Sequence, residues 1–403
     1  MPASPRVSDR TWFGLARRTG NGVELEGALG PWSAGYDRAQ VLLLDDHGPK
    51  EWLLLGPGEV NAEGVVAHFV DERPSGGSPP DSPAPPGKLC IAICTRDRAE
   101  SLRKCLQRMQ GTPLEQYEVL IVDNAPRSDA VKEVVDQMSS EGMRAHRIVE
   151  HRPGLAKARN AALRAIDAEY VAFTDDDARP DRDWATALHR GFAAGTNVAV
   201  VTGMAPPAEL ETRSQALFEK KLKWSTNLMP ETFSMAKRGQ YTWPFPYSAG
   251  HLGAGANFAV RRRIVLDIGG FDEALGAGTL TGSGEDNEMF VRVIRAGYEL
   301  SYQPSAIVWH IHRREDAALR RVLFNYGKGL SAAAVREFLQ PGRVDMMRGT
   351  FRGALNLLRE RQTEFDYGMP WSHLALEVAG VIVGPLAYAI ERWRSPGRAR
   401  MES

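Results

Sequence analysis

Residues 170–177 read YVAFTDDD, and this stretch decides the fold. Tyr170–Thr174 is an apolar run of strand length, and Asp175, Asp176 and Asp177 follow it at once. Consecutive carboxylates at the end of a buried strand repel one another, and a divalent cation would neutralise them. Oxygen-only ligation suits Mg²⁺ or Mn²⁺, which combine a protein carboxylate or two with substrate phosphates. In an extended chain Asp175 and Asp177 point one way and Asp176 the other. The expected division is Asp177 on a metal, with Asp175 either on a ribose hydroxyl or on the same metal. A solvated acidic turn is the competing reading of the three aspartates taken alone.

Working outward, strands and helices alternate ahead of this stretch. Leu89–Cys94, Val119–Val122 and Arg147–Val149 read as strands. Between them, Leu102, Leu106 and Met109 share one helical face, behind an N-cap at Asp97 with Glu100 three residues on. Val131–Met138 and Leu155–Ile166 read as the next helices. Such alternation predicts a parallel α/β sheet whose ligands bind at the C-terminal ends of the strands. Polar residues stand at those ends: Thr95-Arg96-Asp97 after the first strand and Asp123-Asn124 after the second. GLAKARN (154–160) opens the helix after the third, and its Lys157 and Arg159 could reach a diphosphate. Taken singly each signal is weak, because loop aspartates commonly cap helices.

Downstream, GAGANFA (253–259) precedes Arg261-Arg262-Arg263, and Gly269-Gly270-Phe271-Asp272-Glu273 follows. The glycine-rich loop GSGEDNE (282–288) then feeds carboxylates into a helix expected over Glu288–Ala296. Glu285 and Asp286 can simply complement a helix N-terminus, or can provide a general base beside a metal. Ile307-Val308-Trp309-His310 reads as a strand ending in an imidazole, with His312 close behind; His310 is plausible as a third metal ligand only because of the aspartate cluster. In YTWPFPYSAG (241–250), Trp243, Phe245 and Tyr247 form either an aromatic acceptor platform or ordinary loop packing.

In this order, CTRDR (94–98), VDN (122–124), GLAKARN (154–160), FTDDD (173–177), GANFAVRR (255–262), GGFDE (269–273), GEDNE (284–288) and WH (309–310) resemble family 2 glycosyltransferases of the GT-A fold, over about residues 88–312. The resemblance implies a nucleotide-diphospho-sugar transferase on a Rossmann-like mixed α/β sheet. It implies base contact by Asp123, ribose and metal contact by Asp175 and Asp177, and a catalytic base at Asp286. Thr95, Arg96, Asp97, Lys157, Arg159 and Asp176 complete the donor-contact set, and Glu285 orients acceptor or helix. The DDD form with a later Trp-His looks like the galactofuranosyl- and rhamnosyl-type branches, in which a histidine at the position of His310 completes the metal site. One base and no enzymic nucleophile imply inversion at the anomeric carbon. The implied partners are a nucleotide-sugar donor, UDP-linked by expectation, and a glycan or lipid-linked acceptor of cell-envelope or polysaccharide synthesis.

Composition agrees with a soluble globular chain. Its 403 residues are 43% hydrophobic and 25% charged, with 50 basic and 50 acidic side chains. Zero net charge argues against nucleic acid as a partner. The charge is uneven, however, at −5 over residues 1–87 and +5 over 313–403. Cys90, Cys94 and Cys105 form no Cys-x-x-Cys pair and read as small core residues. Pro74–Gly87 is a Pro/Gly/Ser linker, which divides the chain into a β-rich segment 1–73, the linker 74–87, a transferase unit 88–315 and a helical region 316–403. Leu374–Ile390 is apolar but short of the ~20 residues of a spanning helix. Gly380, Gly384 and Pro385 weaken that case further, leaving interfacial or oligomer contact, a core helix or a span as its readings. No apolar run opens the chain, so a cytoplasmic setting is expected, with residues 370–400 in peripheral contact with the inner face of the membrane. A nucleotidyltransferase would carry a glycine-rich, lysine-containing signature near the first strand, and CTRDR is not one. A dehydrogenase would need G-x-G-x-x-G there. A non-catalytic sugar-binding module is the remaining alternative.

Overall fold

The computed structural model describes residues 10–19, 22–33, 35–46, 48–61, 65, 68, 83–238, 245–247, 252–339 and 368–394. Residues 74–82 of the linker, Trp243, residues 340–367 of the helical region and 395–400 of the expected membrane contact lie outside them.

The first four strands are β1 (Thr11–Thr19), β2 (Gly22–Gly27), β3 (Arg38–Asp45) and β4 (Gly48–Leu55). They form one sheet, in which β1 pairs in parallel with β3 and antiparallel with β2. A fifth strand, Glu209–Leu210, joins it from far along the chain by pairing with β1. Trp52 also meets Trp309 edge-on at 6.4 Å and donates from its indole to the Ser225 carbonyl at 2.9 Å. The N-terminal strands are therefore stitched onto the body of the protein.

That body begins with β5 (Leu89–Thr95), α1 (Ala99–Met109), β6 (Glu118–Asn124), α2 (Ala130–Ser140), β7 (Ala145–Glu150), α3 (Leu155–Ala165) and β8 (Tyr170–Asp175). β5 is buried on both faces, as a central strand covered by helices must be. Helix α1 buries Leu102, Cys105, Leu106 and Met109, a single stripe at helical spacing. The N-cap expected at Asp97 is corrected: the cap position is Arg98, with no side-chain hydrogen bond. Asp97 adopts φ 53°, which turns its carboxylate toward the loop after β6, where it accepts from the Arg127 amide at 3.0 Å.

The chain continues through β9 (Ala178–Pro180), α4 (Trp184–Gly191), β10 (Val198–Met204), β11 (Glu209–Leu210), α5 (Arg213–Leu222), β12 (Glu231–Phe233), β13 (Phe258–Arg261), α6 (Arg262–Asp267), α7 (Glu285–Arg295) and β14 (Glu299–His310). The large sheet runs β12-β14-β10-β13-β8-β5-β6-β7, with β9 paired to β14. From β8 to β7 it is parallel, as the alternation predicts, and β13 makes it mixed by entering antiparallel between β8 and β10. Helix α7 starts three residues before its expected position, because Gly284 at φ 97° turns the chain directly into it.

Two long helices, α8 (Asp316–Phe338) and α9 (Trp371–Arg394), close the described structure. They cross at backbone distance. A Cβ on Gly327 would lie 2.0 Å from the Glu377 carbonyl oxygen, and one on Gly380 would lie 2.2 Å from that of Phe324. Gly380 and Gly384, which read in the sequence as weak points of an apolar helix, are thus its packing surface. The apolar run lies within a 24-residue helix that is long and apolar enough to cross a membrane by length and composition. Its other face is open: Trp371 is 74% exposed, Ile382 73%, Leu386 65% and Trp393 82%.

Because the crossing is this close, Gly380→Leu is expected to cost about 1–3 kcal/mol through overpacking. A fall in the thermal unfolding midpoint, measured by circular dichroism against the unmodified chain, checks it.

Candidate active site

Strand register brings the polar strand ends into one row. Thr95 lies opposite Asp123, and Cys94 lies opposite Asp175, so β5, β6 and β8 end together. The three aspartates are held by groups from elsewhere. Thr95 donates its hydroxyl to Asp176 Oδ2 at 2.6 Å. Arg98 reaches Asp176 Oδ1 and Asp177 Oδ2, each at 2.7 Å, and Arg313 stands 3.5 Å from Asp177 Oδ2. Burial, with the charge of Asp177 beside it, pushes the Asp175 carboxyl up to about 7. Burial lifts Asp176 to about 6 against the pull of Arg98 and Thr95. At Asp177 burial also opposes ionisation, but Arg98 and Arg313 outweigh it and hold the carboxyl below its usual range.

Asp123 is fully buried. Arg147 donates from Nε and Nη2 to its Oδ2, at 3.0 and 2.8 Å, while Oδ1 has no hydrogen-bond partner among the described residues. A buried acceptor without a donor is costly, and a ligand N–H or O–H would satisfy it. Neighbouring Asn124 has a local role: its amide donates to the Glu150 and Arg152 carbonyls, and its Oδ1 accepts from the Gly154 amide. Arg96 is half-buried just beyond β5. Lys157 is buried, its ammonium donating to the Pro153 carbonyl at 3.1 Å.

Arg159 has a different place from the one expected of a diphosphate contact. It is buried, donating from Nη1 to Glu285 Oε1 at 3.0 Å and from Nη2 to the Gly255 carbonyl at 2.8 Å, with Asp175 Oδ1 at 3.9 Å. The rings of Phe173, Phe258 and Phe271 surround its guanidinium at 5.1–5.9 Å. An apolar cage of this kind fixes the cation, so Arg159 ties the end of β8 to the start of α7. Glu285, the first residue of α7, is buried and pushed up to about 7, by burial and by Asp286, despite Arg159. Asp286 lies directly over Gly255, where a Cβ would come 2.3 Å from Asp286 Oδ2 and displace that carboxylate. Helix α8 backs this loop: Ser283 donates to the Asn325 carbonyl at 2.9 Å, and Lys328 to the Leu280 carbonyl at 2.7 Å. Helix α9 adds Glu391, which accepts from the Leu280 amide at 3.0 Å, and Tyr388, which donates to Asp272 at 2.9 Å.

His310 reaches the cluster through strand pairing. In the β9–β14 ladder it lies opposite Ala178, the residue after Asp177. Its backbone is pinned on both sides, N–H to the Pro206 carbonyl at 2.8 Å and carbonyl to the Ala208 amide at 3.0 Å. Burial and the neighbouring His312 push its imidazole down to about 3, so it is neutral at physiological pH. The expected metal ligands Asp175, Asp177 and His310 are divided between two sides of the cluster. Among the described residues no three His, Cys, Asp or Glu side chains are arranged to hold a metal by themselves. Asp177 and His310 sit on paired strands, whereas Asp175 shares Arg159 with Glu285 on the α7 side. A carboxylate and a neutral imidazole nevertheless fit a divalent cation whose other ligands come from substrate phosphates.

Four contributors were not singled out in the sequence: Arg98, Arg147, Arg313 and Tyr326. Arg147 left no clear signal, because its strand, AHRIVE, also carries His146 and Glu150. Tyr326, on α8, feels burial and the charges of Asp286 and Glu285, which raise its hydroxyl above the usual range; nothing in its local sequence points to an acid pair forty residues earlier. Of the expected aromatic platform, Phe245 is buried 6.5 Å from Phe233, which is loop packing, and Tyr247 is half-buried.

Residues 90–269 match the family model for Glycosyl transferase family 2. A pre-mycofactocin glycosyltransferase of Mycobacterium tuberculosis is 28% identical over 293 residues, covering 69% of this chain and 54% of that protein. A probable glycosyltransferase of Bacillus subtilis, YdaM, is 24% identical over 231 residues, covering 55% of this chain and 50% of that protein. The chain thus spans about half the length of the curated relatives it matches. A solved mannosyltransferase from Pyrobaculum calidifontis, in complex with GDP-Man and Mn²⁺, superposes with a TM-score of 0.49 at 16% identity, over 77% of this chain and 88% of its own.

Removing the buried cation between two acids leaves their charges uncompensated. Arg159→Met is therefore expected to destabilise the protein by about 3–5 kcal/mol. Arg159→Lys, which keeps the charge but not the fork, should lose less; urea unfolding of the two variants distinguishes them.

Proposed function

We propose that this chain, whose residues 90–269 match the family model for Glycosyl transferase family 2, moves a sugar from a nucleoside-diphosphate donor to an acceptor hydroxyl, with inversion at the anomeric carbon. The observation that supports this most is the joining of the acid pair Glu285–Asp286 to the strand-end carboxylates through Arg159. An acceptor base and a donor site then face a common space. In this reading Asp123 takes a nucleobase N–H on its unpartnered Oδ1 while Arg147 holds the other oxygen. Asp175 and Asp176 line the ribose and diphosphate side, together with Thr95, Arg96, Asp97 and Lys157. Asp177 and His310 would hold Mg²⁺ or Mn²⁺, which when bound supplies Lewis-acid stabilisation of the diphosphate leaving group. Arg98 and Arg313 keep Asp177 ionised. Asp286 removes the acceptor proton as the hydroxyl attacks from the face opposite the diphosphate. Glu285, clamped by Arg159, orients Asp286 and the helix that carries it.

The Asp-Asp-Asp run with a later Trp-His supports a donor of the galactofuranosyl or rhamnosyl type, UDP-linked in the first case, and an envelope or polysaccharide acceptor. The division at residues 73, 87 and 315 belongs to the same proposal, with contacts crossing each boundary. The exposed apolar face of α9, with Trp371 and Trp393 near its ends, supports peripheral contact with the cytoplasmic face of a membrane.

Three experiments test these assignments. Titration calorimetry of UDP, GDP and dTDP, each with Mn²⁺ and with EDTA, should give metal-dependent binding of one nucleotide that Asp177→Ala abolishes. Binding of none of the three would sink the donor site. Asp286→Asn should lower turnover by about 10²–10⁴-fold with nucleotide affinity largely kept; normal turnover would remove Asp286 as the base, and binding without turnover by the unmodified chain would favour a sugar-binding module. Finally, Ile382→Glu with Leu386→Glu should shift the expressed protein from the membrane to the soluble fraction, and an unchanged distribution would end the membrane reading.

A further inference from the structure

His310 does not end the hydrogen-bond chain at the aspartate cluster. Its Nδ1 lies 2.9 Å from Nδ1 of His312, and Nε2 of His312 lies 2.9 Å from Oε2 of Glu219 on α5. The other oxygen of Glu219 accepts from the Ser225 hydroxyl at 2.5 Å. Ser225 in turn has its carbonyl held by the Trp52 indole of the N-terminal sheet. His312 is fully buried, with the ring of Phe218 edge-on at 4.8 Å, so its orientation is fixed by packing.

The hydrogen-bond chain ends on a carboxylate, and that end gives its protons a direction. An ionised carboxylate only accepts, so Glu219 requires the His312 proton to be on Nε2. With that proton as its ring N–H, His312 offers a lone pair on Nδ1, and His310 is then the donor across the 2.9 Å contact between the two Nδ1 atoms. With its proton on Nδ1, His310 has a bare lone pair on Nε2. That is the nitrogen left for a cation shared with Asp177, whose strand neighbour Ala178 faces His310 in the ladder. Metal-bound histidines commonly have their other nitrogen held in this way, and the holding group fixes tautomer and ring orientation.

We propose that Glu219 and His312 are positioning residues: a carboxylate–imidazole relay that locks His310 in the Nδ1–H tautomer and presents Nε2 as a ready metal ligand. The inference rests on the metal reading of Asp177 and His310, but the relay itself exists without any metal. Glu219 is inside the matched family segment, while His310 and His312 follow its end at residue 269, so the device depends on the join between that segment and β14.

Two measurements on the full-length chain test it. In the metal-free protein, long-range ¹H–¹⁵N correlation of the imidazoles should show His310 protonated at Nδ1 and His312 at Nε2, and a proton on His310 Nε2 would overturn the relay. Electron paramagnetic resonance then follows Mn²⁺ binding, alone and with UDP. His312→Phe keeps a buried ring but no acceptor, and should weaken Mn²⁺ binding by about 10- to 100-fold. His312→Asn, whose amide oxygen can stand where Nδ1 stood, should recover most of that affinity. Equal Mn²⁺ affinity in the His312→Phe variant and the unmodified chain would overturn the proposal. Nucleotide-independent folding is checked by far-UV circular dichroism of both variants; failure of His312→Phe to fold shifts the test to Glu219→Leu, for which the same loss of Nδ1–H signature and affinity is expected and their retention overturns the proposal. An unmodified chain with the expected tautomers but no Mn²⁺ uptake would instead overturn the metal reading, separately from the relay.

Discussion

Three carboxylates in succession at the end of a buried strand repel one another, and the protein has to hold them before any ligand arrives. It does so with arginines from separate parts of the chain. Arg98, just after β5, bridges Asp176 and Asp177; Arg313, after β14, stands beside Asp177; Arg159, in α3, reaches toward Asp175. Arg159 lies within α3, Arg98 directly precedes α1 and Arg313 follows β14, so neutralising the acids draws those elements together. Much of the arrangement around the site follows from this electrostatic requirement, since a like-charge cluster left alone in a low-dielectric site would be strongly destabilising.

The arginines differ in how firmly they are committed. Arg159 is enclosed by three phenylalanine rings and bonded to Glu285 and the Gly255 carbonyl, so it is a fixed part of the scaffold. Arg98 is partly solvent-exposed and joined to the cluster through carboxylate oxygens alone. The Asp177 side is consequently the adaptable half of the cluster, whereas the Asp175–Arg159–Glu285 side is the rigid half. Rigid support on the side of the acid pair suits a group that must meet its partner in one geometry.

Support also comes from outside the central sheet. Helices α8 and α9 hold the loop ahead of Glu285 through Asn325, Lys328, Tyr388 and Glu391, and they can do so only because glycines let the two helices cross at backbone distance. On the opposite side, Trp52 of the N-terminal sheet anchors Ser225 and, through it, Glu219. Terminal segments without chemical motifs of their own thus act on the site as braces.

How much of this was legible differs from residue to residue. The strands ending at Thr95, Asp123 and Asp175 could be read because apolar runs of strand length followed by polar clusters are local patterns, and so could the alternation that makes β5–β8 parallel. The acidic residues themselves stood out because clustered carboxylates are rare beside buried runs. Arg159 reads as a phosphate contact by its charge, and the sequence does not record the three rings and one carboxylate that enclose it. Asp97 read as a helix cap until its backbone conformation turned it elsewhere. The antiparallel entry of β13, the tie from Arg147 to Asp123 and the reach of Tyr326 toward Asp286 join residues far apart in the chain, and no periodicity records such pairings. By itself, then, the sequence determined which residue types sit at strand ends and what chemistry they can perform. Only the tertiary structure decided which of them meet, because hydrogen-bond partners, burial and charge neutralisation are properties of contacts across the fold rather than of neighbours along the chain.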